Sequence, residues 1–168
     1  TEKHTWFMTL LYVMTFGSFS GFSAMFPLMI NNLFGSFENA PDPLKYAFIG
    51  PLVGSAARVL AGPISDKLGG AKVTMFAGVG LLACAIFVPF TLHPSSAADF
   101  TPFLWGMLGL FLFSGIGNAS TFKQIPMIFP PRQASGVIGY TAAIAAYGPF
   151  IFGVLIGISV SLTGNSTM

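Results

Sequence analysis

The chain has 168 residues and a formal net charge of +2, and only 7% of its residues are charged, whereas a water-soluble domain has about 25%. Hydrophobic residues make up 54% of the chain, and its mean hydropathy is +0.77. So little polar surface excludes a soluble globular domain and predicts an all-α membrane protein. Because the basic residues are scattered and form no patch, no nucleic-acid partner is expected.

Five long apolar stretches follow one another along the chain, each near the roughly 20 residues that a helix needs to cross the hydrocarbon. They lack the alternation of apolar and polar residues that is typical of a transmembrane β-strand, so helices are predicted. The predicted spans cover residues 6–30, 46–65, 73–92, 101–122 and 134–160. The fourth extends to Phe129 if Pro126 only kinks the helix, and the paired prolines of FPPRQ end it.

The basic residues between these spans predict the orientation of the chain. Those that fall on one side of the predicted membrane are Lys3, Lys67, Lys72, Lys123 and Arg132. Because loops rich in Lys and Arg stay in the cytoplasm, we expect the chain to start inside, to cross five times and to end outside. Five is an odd number of helices for a bundle, so a sixth span is expected to follow in the full protein.

Arg58 lies inside the second predicted span, close to its centre. A guanidinium keeps its proton there, and placing it at mid-membrane costs roughly 2.5–3.5 kcal/mol on insertion scales. No Asp or Glu lies in any of the five predicted spans, so a structural ion pair needs a partner from elsewhere in the protein. The neighbouring residues are small and leave room beside the guanidinium. We therefore expect an anion-binding site in a water-filled cavity, with the ion pair as the alternative.

The stretch GPISDKLGG follows Arg58 and matches the pattern G-x-x-x-D-[RK]-x-G-G. Asp66 can cap a helix end or pair with a basic group, and two adjacent glycines allow a tight turn. At a turn between two spans, this pattern resembles the motif by which transporters of the major facilitator superfamily switch conformation. The resemblance assigns that role to Gly62, Asp66, Lys67, Gly69 and Gly70.

Four longer stretches make the resemblance narrower. The segments LYVMTFGSFSGFSA, GPLVGSAARVLAGPISDKLGG, SGIGNASTF and GVIGYTAAIAAYGPF resemble the bacterial nitrate/nitrite porters of the NarK type, within the same superfamily. The resemblance covers nearly the whole chain and implies the C-terminal helical bundle, that is, helices seven to eleven of twelve. The chain departs from it at Ala145 and Pro149, where many members have glycine, and this leaves the subtype open.

The resemblance also implies which residues hold the substrate. In that family one arginine from each half clamps the planar anion, and Arg58 falls on the second of these. Tyr12 and Phe16 fall on the aromatic pair that lines the site, and Gly139 falls on a glycine of the second nitrate signature. Independently, Tyr12 and Phe16 are four residues apart and are predicted to share one helix face. Asn118 in the fourth span either reaches the substrate or bonds a neighbouring helix.

The implied function is secondary transport of nitrate and nitrite across the bacterial inner membrane, by alternating access between two six-helix halves. The implied partners are the two anions, the lipid bilayer and the missing N-terminal half. No buried carboxylate is present in these spans to carry a proton, so nitrate/nitrite exchange fits more simply than proton symport. No enzyme activity, cofactor or metal is expected. The alternatives are another small-anion or organic-anion carrier of the superfamily, and an anion channel subunit.

Overall fold

A computed structural model describes residues 2–163, and this part of the chain is helical with no strand. The helices are α1 (Glu2–Tyr12), α2 (Ser18–Phe34), α3 (Pro43–Tyr46), α4 (Ile49–Leu68), α5 (Gly70–Phe87), α6 (Phe100–Ile128), α7 (Pro131–Ala145) and α8 (Gly148–Thr163). A π-helical turn, Val13–Gly17, joins α1 to α2. Short 3-10 turns at Val88–Thr91 and Ala97–Asp99 flank the loop between α5 and α6.

These elements form five helical segments that are long and apolar enough to cross a membrane, so the predicted all-helical membrane fold is confirmed. The segments are Lys3–Phe34, Pro43–Leu68, Gly70–Thr91, Ala97–Ile128 and Pro131–Leu155. All five begin a few residues before the apolar stretches, and the first, second and fourth also end after them, because helix continues into the flanking polar residues. The fourth segment runs through Pro126, so the longer of its two predicted ends is right.

The predicted fifth span, 134–160, is not one continuous helix. Its first part, α7, ends at Ala145, and α8 begins only at Gly148 after a two-residue turn. Pro149 explains the interruption, because it has no amide hydrogen to donate to the carbonyl of Ala145 and its ring crowds that carbonyl. The fifth span therefore crosses as two shorter helices.

The central helix of the bundle is α6, which packs against both α4 and α5. Small residues line the buried face of α4, namely Gly50, Gly54, Ala57, Ala61 and Ser65. A Cβ on Gly115 of α6 would overlap the carbonyl oxygen of Gly54, so the two backbones are in contact. In lipid, where helices gain little from hydrophobic burial against each other, such close packing of small residues holds them together.

Two hydrophobic clusters lie at opposite ends of the bundle. The larger one is rich in phenylalanine and joins α2 to α6, with Phe26, Phe34, Phe103 and Phe111 fully buried. The smaller cluster contains Met8, Ile125, Phe129 and Ala134. It lies at the end of the bundle that carries the α4–α5 and α6–α7 turns. We call this the basic end, because Lys67, Lys72, Lys123 and Arg132 lie there. The candidate site adjoins this smaller cluster.

Candidate functional site

Arg58 projects from α4 towards an aromatic ring on α6. Its Cζ atom lies 5.9 Å from the centre of the Phe122 ring, which is within the range of a cation–π interaction. The guanidinium also lies close enough to the Tyr12 hydroxyl for the two to interact electrostatically. In the described part of the chain, Arg58 forms no ion pair with a carboxylate. Its charge therefore lies beside aromatic groups and is not neutralised by a carboxylate of the described residues.

Three aromatic rings form the wall beside this charge. The rings of Tyr12 and Phe16 are stacked, with centroids 5.4 Å apart and planes 9° from parallel. The predicted sharing of one face by these two residues is thus confirmed. The ring of Phe122 lies 4.2 Å from that of Tyr12, so it connects the stacked pair to Arg58. The structure brings Arg58, Tyr12 and Phe16 to one place, as the resemblance implies.

The sequence did not indicate that Phe122 lies beside Arg58. It is one of 19 phenylalanines, and only the packing of α6 between α1 and α4 shows that it faces Arg58. One signal was present, because Phe122 follows the candidate Asn118 by four residues and therefore lies on the same helix face.

A π-helical turn shapes the wall at Tyr12 and Phe16. The turn widens the helix over Val13–Gly17. The Thr15 hydroxyl donates to the carbonyls of Leu11 and Tyr12, at 3.1 and 3.3 Å, and so ties the turn to the end of α1. Single π turns inside α-helices frequently lie at functional sites.

The interruption of the fifth span lies against this π turn. A Cβ on Gly148, the first residue of α8, would overlap the Cα of Gly17, so the two backbones touch. Two irregular points, one in the first span and one in the fifth, therefore meet close to the aromatic wall. A larger side chain at Gly148 would separate the two helices.

Asn118 lies on α6, one turn before Phe122, and only 1% of its surface is exposed. Its side-chain oxygen Oδ1 has no hydrogen-bond partner among the described residues. The carbonyl oxygen thus does not bond a neighbouring helix in this part of the chain. Nitrate offers only acceptors, so the Nδ2 amide hydrogens, and not Oδ1, are the groups suited to bind it.

Gly139 lies on α7 and faces open space. Among the described residues, no atom lies within 4 Å of a Cβ built on it. The structure therefore does not bring Gly139 against the aromatic rings. Nearby on α7, the hydroxyl of Thr141 bonds that of Thr9 at 3.1 Å and fixes α7 against α1.

The switch motif forms the turn between α4 and α5. Gly69 has a φ of +89°, a conformation that strongly favours glycine, so the predicted tight turn is confirmed. The Lys123 ammonium donates to the Asp66 carboxylate at 2.8 Å, which confirms the predicted pairing of Asp66 with a basic group. Lys67 is exposed, and Gly62 lies near the Lys123 side chain. Because Lys123 directly follows Phe122, the ion pair links the motif to the helix that carries the aromatic wall.

Among residues 2–163, no three His, Cys, Asp or Glu side chains form a group that could hold a metal ion. The fold and the site together define a multi-pass membrane protein with a cationic site between its helices. That class of protein includes carriers and channels for anions.

Comparisons with known proteins narrow this class. The chain is 62% identical over 166 residues to the probable nitrate/nitrite antiporter NarK2 of Thermus thermophilus, covering 99% of this chain and 38% of that protein. It is 37% identical to the nitrate/nitrite transporter NarU of Salmonella typhimurium, covering 96% of this chain and 39% of that protein. It is 30% identical to the nitrite extrusion protein of Bacillus subtilis, covering 95% of this chain and 38% of that protein. No protein-family model matches the chain.

Over nearly its whole length, the chain is homologous to one part of the NarK-type nitrate/nitrite porters. It spans about 38% of the length of the first of these relatives, and so it corresponds to part of such a protein.

Proposed function

We propose that this chain supplies one half of the anion site of a nitrate/nitrite exchanger in the bacterial inner membrane. The observation that carries the proposal is the guanidinium of Arg58, which lies over Phe122 without a carboxylate partner in the described chain. The names of the relatives support nitrate and nitrite as the substrates. The helices correspond to the seventh to the eleventh of a twelve-helix transporter. In this proposal, the other arginine of the clamp and the sixth helix of this half come from segments of the transporter outside this chain.

The chemistry of the site suits a flat, singly charged anion. The guanidinium fork of Arg58 donates two parallel hydrogen bonds to two nitrate oxygens, and the Tyr12 hydroxyl donates a third. The rings of Phe16 and Phe122 cover the faces of the anion and exclude water, which strengthens these charge-assisted bonds. Asn118 donates from its amide nitrogen at the buried side of the site. Gly139 has open space around it, and we propose that it lines the anion site once the other half of the transporter closes over the anion.

Alternating access requires this half to rock against the other half around the bound anion. The turn at Gly69 and Gly70 and the ion pair between Asp66 and Lys123 hold α4, α5 and α6 as one unit during this motion. No carboxylate lies within the membrane-spanning part of the chain beside Arg58 to carry a proton. Nitrate moving one way against nitrite moving the other balances charge without a proton, so we infer exchange.

Flux measurements on the full-length porter test this proposal. Vesicles that are preloaded with nitrite are expected to take up nitrate in a saturable manner, and uptake is expected to be independent of an imposed pH gradient. Empty vesicles serve as the control and should take up much less. Uptake that needs a pH gradient but no internal nitrite would show proton symport instead. Ohmic single-channel currents of nitrate would show a channel. Transport of another small or organic anion with which nitrate does not compete would show a different anion carrier.

A further inference from the structure

Two buried oxygen atoms at the basic end have no hydrogen-bond partner among the described residues. They are Oγ of Ser65 on α4 and Oε1 of Gln124 on α6. Ser65 is completely buried, with 0% of its surface exposed. Buried polar groups in proteins nearly always have a partner, which is either protein or ordered water. These two oxygens are distinct from the Arg58 site and take no part in the proposed transport chemistry.

Both oxygens belong to one junction of three helices. The carbonyl of Ser65 accepts from the amide of Gly69 at 3.0 Å, which places Ser65 directly at the α4–α5 turn. A Cβ on Gly70, the first residue of α5, would lie 3.0 Å from Cβ of Gln124. Gln124 therefore passes against the start of α5 where α4 ends. Both residues therefore lie at the same turn.

The junction lies directly behind the surface ion pair. Asp66 follows Ser65 on α4, and Lys123 precedes Gln124 on α6, and these two neighbours bond each other at 2.8 Å. The ion pair is about half exposed, whereas Ser65 is shut off from solvent. The contact between α4 and α6 thus has a charged outer layer and a polar inner layer.

The start of α5 lies beside this inner layer, since Gly70 packs against Gln124. The first amides of any α-helix have no partner within the helix. The residue before α5 is Gly69, which has no side chain, and no side chain caps this helix. Amides without a helical partner at the start of α5 therefore lie near two oxygens without a partner, on Ser65 and Gln124.

We propose that a single water molecule binds at this junction and joins α4, α5 and α6. The water accepts from the amides of the first turn of α5 and donates to Ser65 Oγ and Gln124 Oε1. A buried water typically makes about three hydrogen bonds, and this set of donors and acceptors provides them. The water fixes the turn of the switch motif to α6 at a second point, behind the Asp66–Lys123 ion pair.

A structure of the full-length porter at a resolution that places waters tests the proposal directly. The expected result is one peak within hydrogen-bond distance of both Ser65 Oγ and Gln124, found also when nitrate is absent. The proposal is overturned if the two side chains bond each other or other protein atoms with no water between them. This outcome is independent of transport, so it leaves the proposed function untouched.

A double-mutant cycle provides a second test in solution. Ser65→Ala and Gln124→Met each remove one partner of the water and are expected to lower the melting temperature. The double variant should lose less than the sum, because either change alone already weakens the shared water. Ser114→Ala and Gln133→Met are matched controls, since the Ser114 hydroxyl bonds the Phe111 carbonyl within its own helix and Gln133 is exposed. Strictly additive losses for Ser65 and Gln124 contradict a shared water.

Discussion

Arg58 of α4 and Phe122 of α6 meet with the guanidinium carbon 5.9 Å from the ring centre, and the ring of Tyr12 of α1 packs against the same ring at 4.2 Å. This one contact joins three spans that are far apart in the chain. It positions a charge that no carboxylate of the described chain neutralises. The strength of anion binding should therefore depend on both the fork of the arginine and the ring beneath it.

Replacing Arg58 by lysine tests the role of the guanidinium fork. Lysine keeps the charge but cannot donate two parallel hydrogen bonds in one plane. Losing one charge-assisted hydrogen bond costs roughly 1.5–3 kcal/mol, or about 10- to 150-fold in affinity. We expect the Arg58→Lys porter to express and melt like the parent, and to bind nitrate at least tenfold more weakly by calorimetry.

The matched control for this change is Arg132→Lys, because Arg132 is exposed at the basic end beyond the last turn of α6. That variant should bind nitrate like the parent. Normal nitrate affinity in Arg58→Lys would mean that the arginine is part of the scaffold and not of the site.

Replacing Phe122 by leucine tests the aromatic ring beneath Arg58. Leucine keeps most of the apolar volume but removes the ring's negative face, which is worth roughly 0.5–2 kcal/mol to a nearby cation. We expect a loss of nitrate affinity of roughly 2- to 30-fold, and Phe122→Tyr should keep most of the affinity. Phe113→Leu is the control, since Phe113 lies on the same helix but packs on Gly80 of α5. Equal losses in the two leucine variants would indicate a general packing effect.

The ion pair between Asp66 and Lys123 is expected to control the rate of exchange more than stability. Both side chains are about half exposed, and exposed pairs contribute at most about 1 kcal/mol. Asp66→Asn should therefore slow nitrate/nitrite exchange in vesicles with little change in melting temperature or nitrate affinity. The charge-swapped variant Asp66→Lys with Lys123→Asp should recover part of the rate. Lys72→Gln, an exposed change in the same turn, should have no effect, and a failure of the swap to recover any rate would argue against this role of the pair.

Two glycines of the predicted site should respond differently to alanine. Gly69 has a φ of +89°, and forcing a Cβ into such a conformation costs about 1–3 kcal/mol, so Gly69→Ala should lower the melting temperature. Gly139 has open space around it, so Gly139→Ala should melt like the parent. If Gly139 lines the anion site, that variant should still raise the Kd for nitrate. An unchanged Kd would remove Gly139 from the site.

The orientation that the basic residues predict is open to cysteine labelling. In a Cys84→Ala background, cysteines at Lys72 and Lys123 should react with an impermeant maleimide only from the cytoplasm. A cysteine at Asn39 should react only from outside, because the second predicted span separates it from Lys72. Labelling of positions 39 and 72 from the same side is incompatible with the five-span arrangement.

Several features of this protein follow from local sequence alone. Long apolar stretches define transmembrane helices because the hydrocarbon has a fixed thickness and every backbone group must be bonded within the segment. The sequence alone also identifies Arg58 as a candidate site residue, because a charge in an apolar span without an acidic partner is costly in lipid. The shared face of Tyr12 and Phe16 follows from the 3.6-residue period of a helix, and the turn at Gly69 follows from the chemistry of glycine.

The neighbours of these residues were decided only by the tertiary structure. In a soluble protein the apolar face of a helix marks its buried side, but lipid is as apolar as the core, so this signal is lost. Phe76 of α5 is 60% exposed, whereas Phe111 of α6 is fully buried, although both lie in similar apolar sequence. The rotation and depth of each helix are set by where glycines let two backbones touch, as at Gly54 and Gly115. That long-range fit, which no periodicity in one helix encodes, placed Phe122 beneath Arg58 and Lys123 beside Asp66.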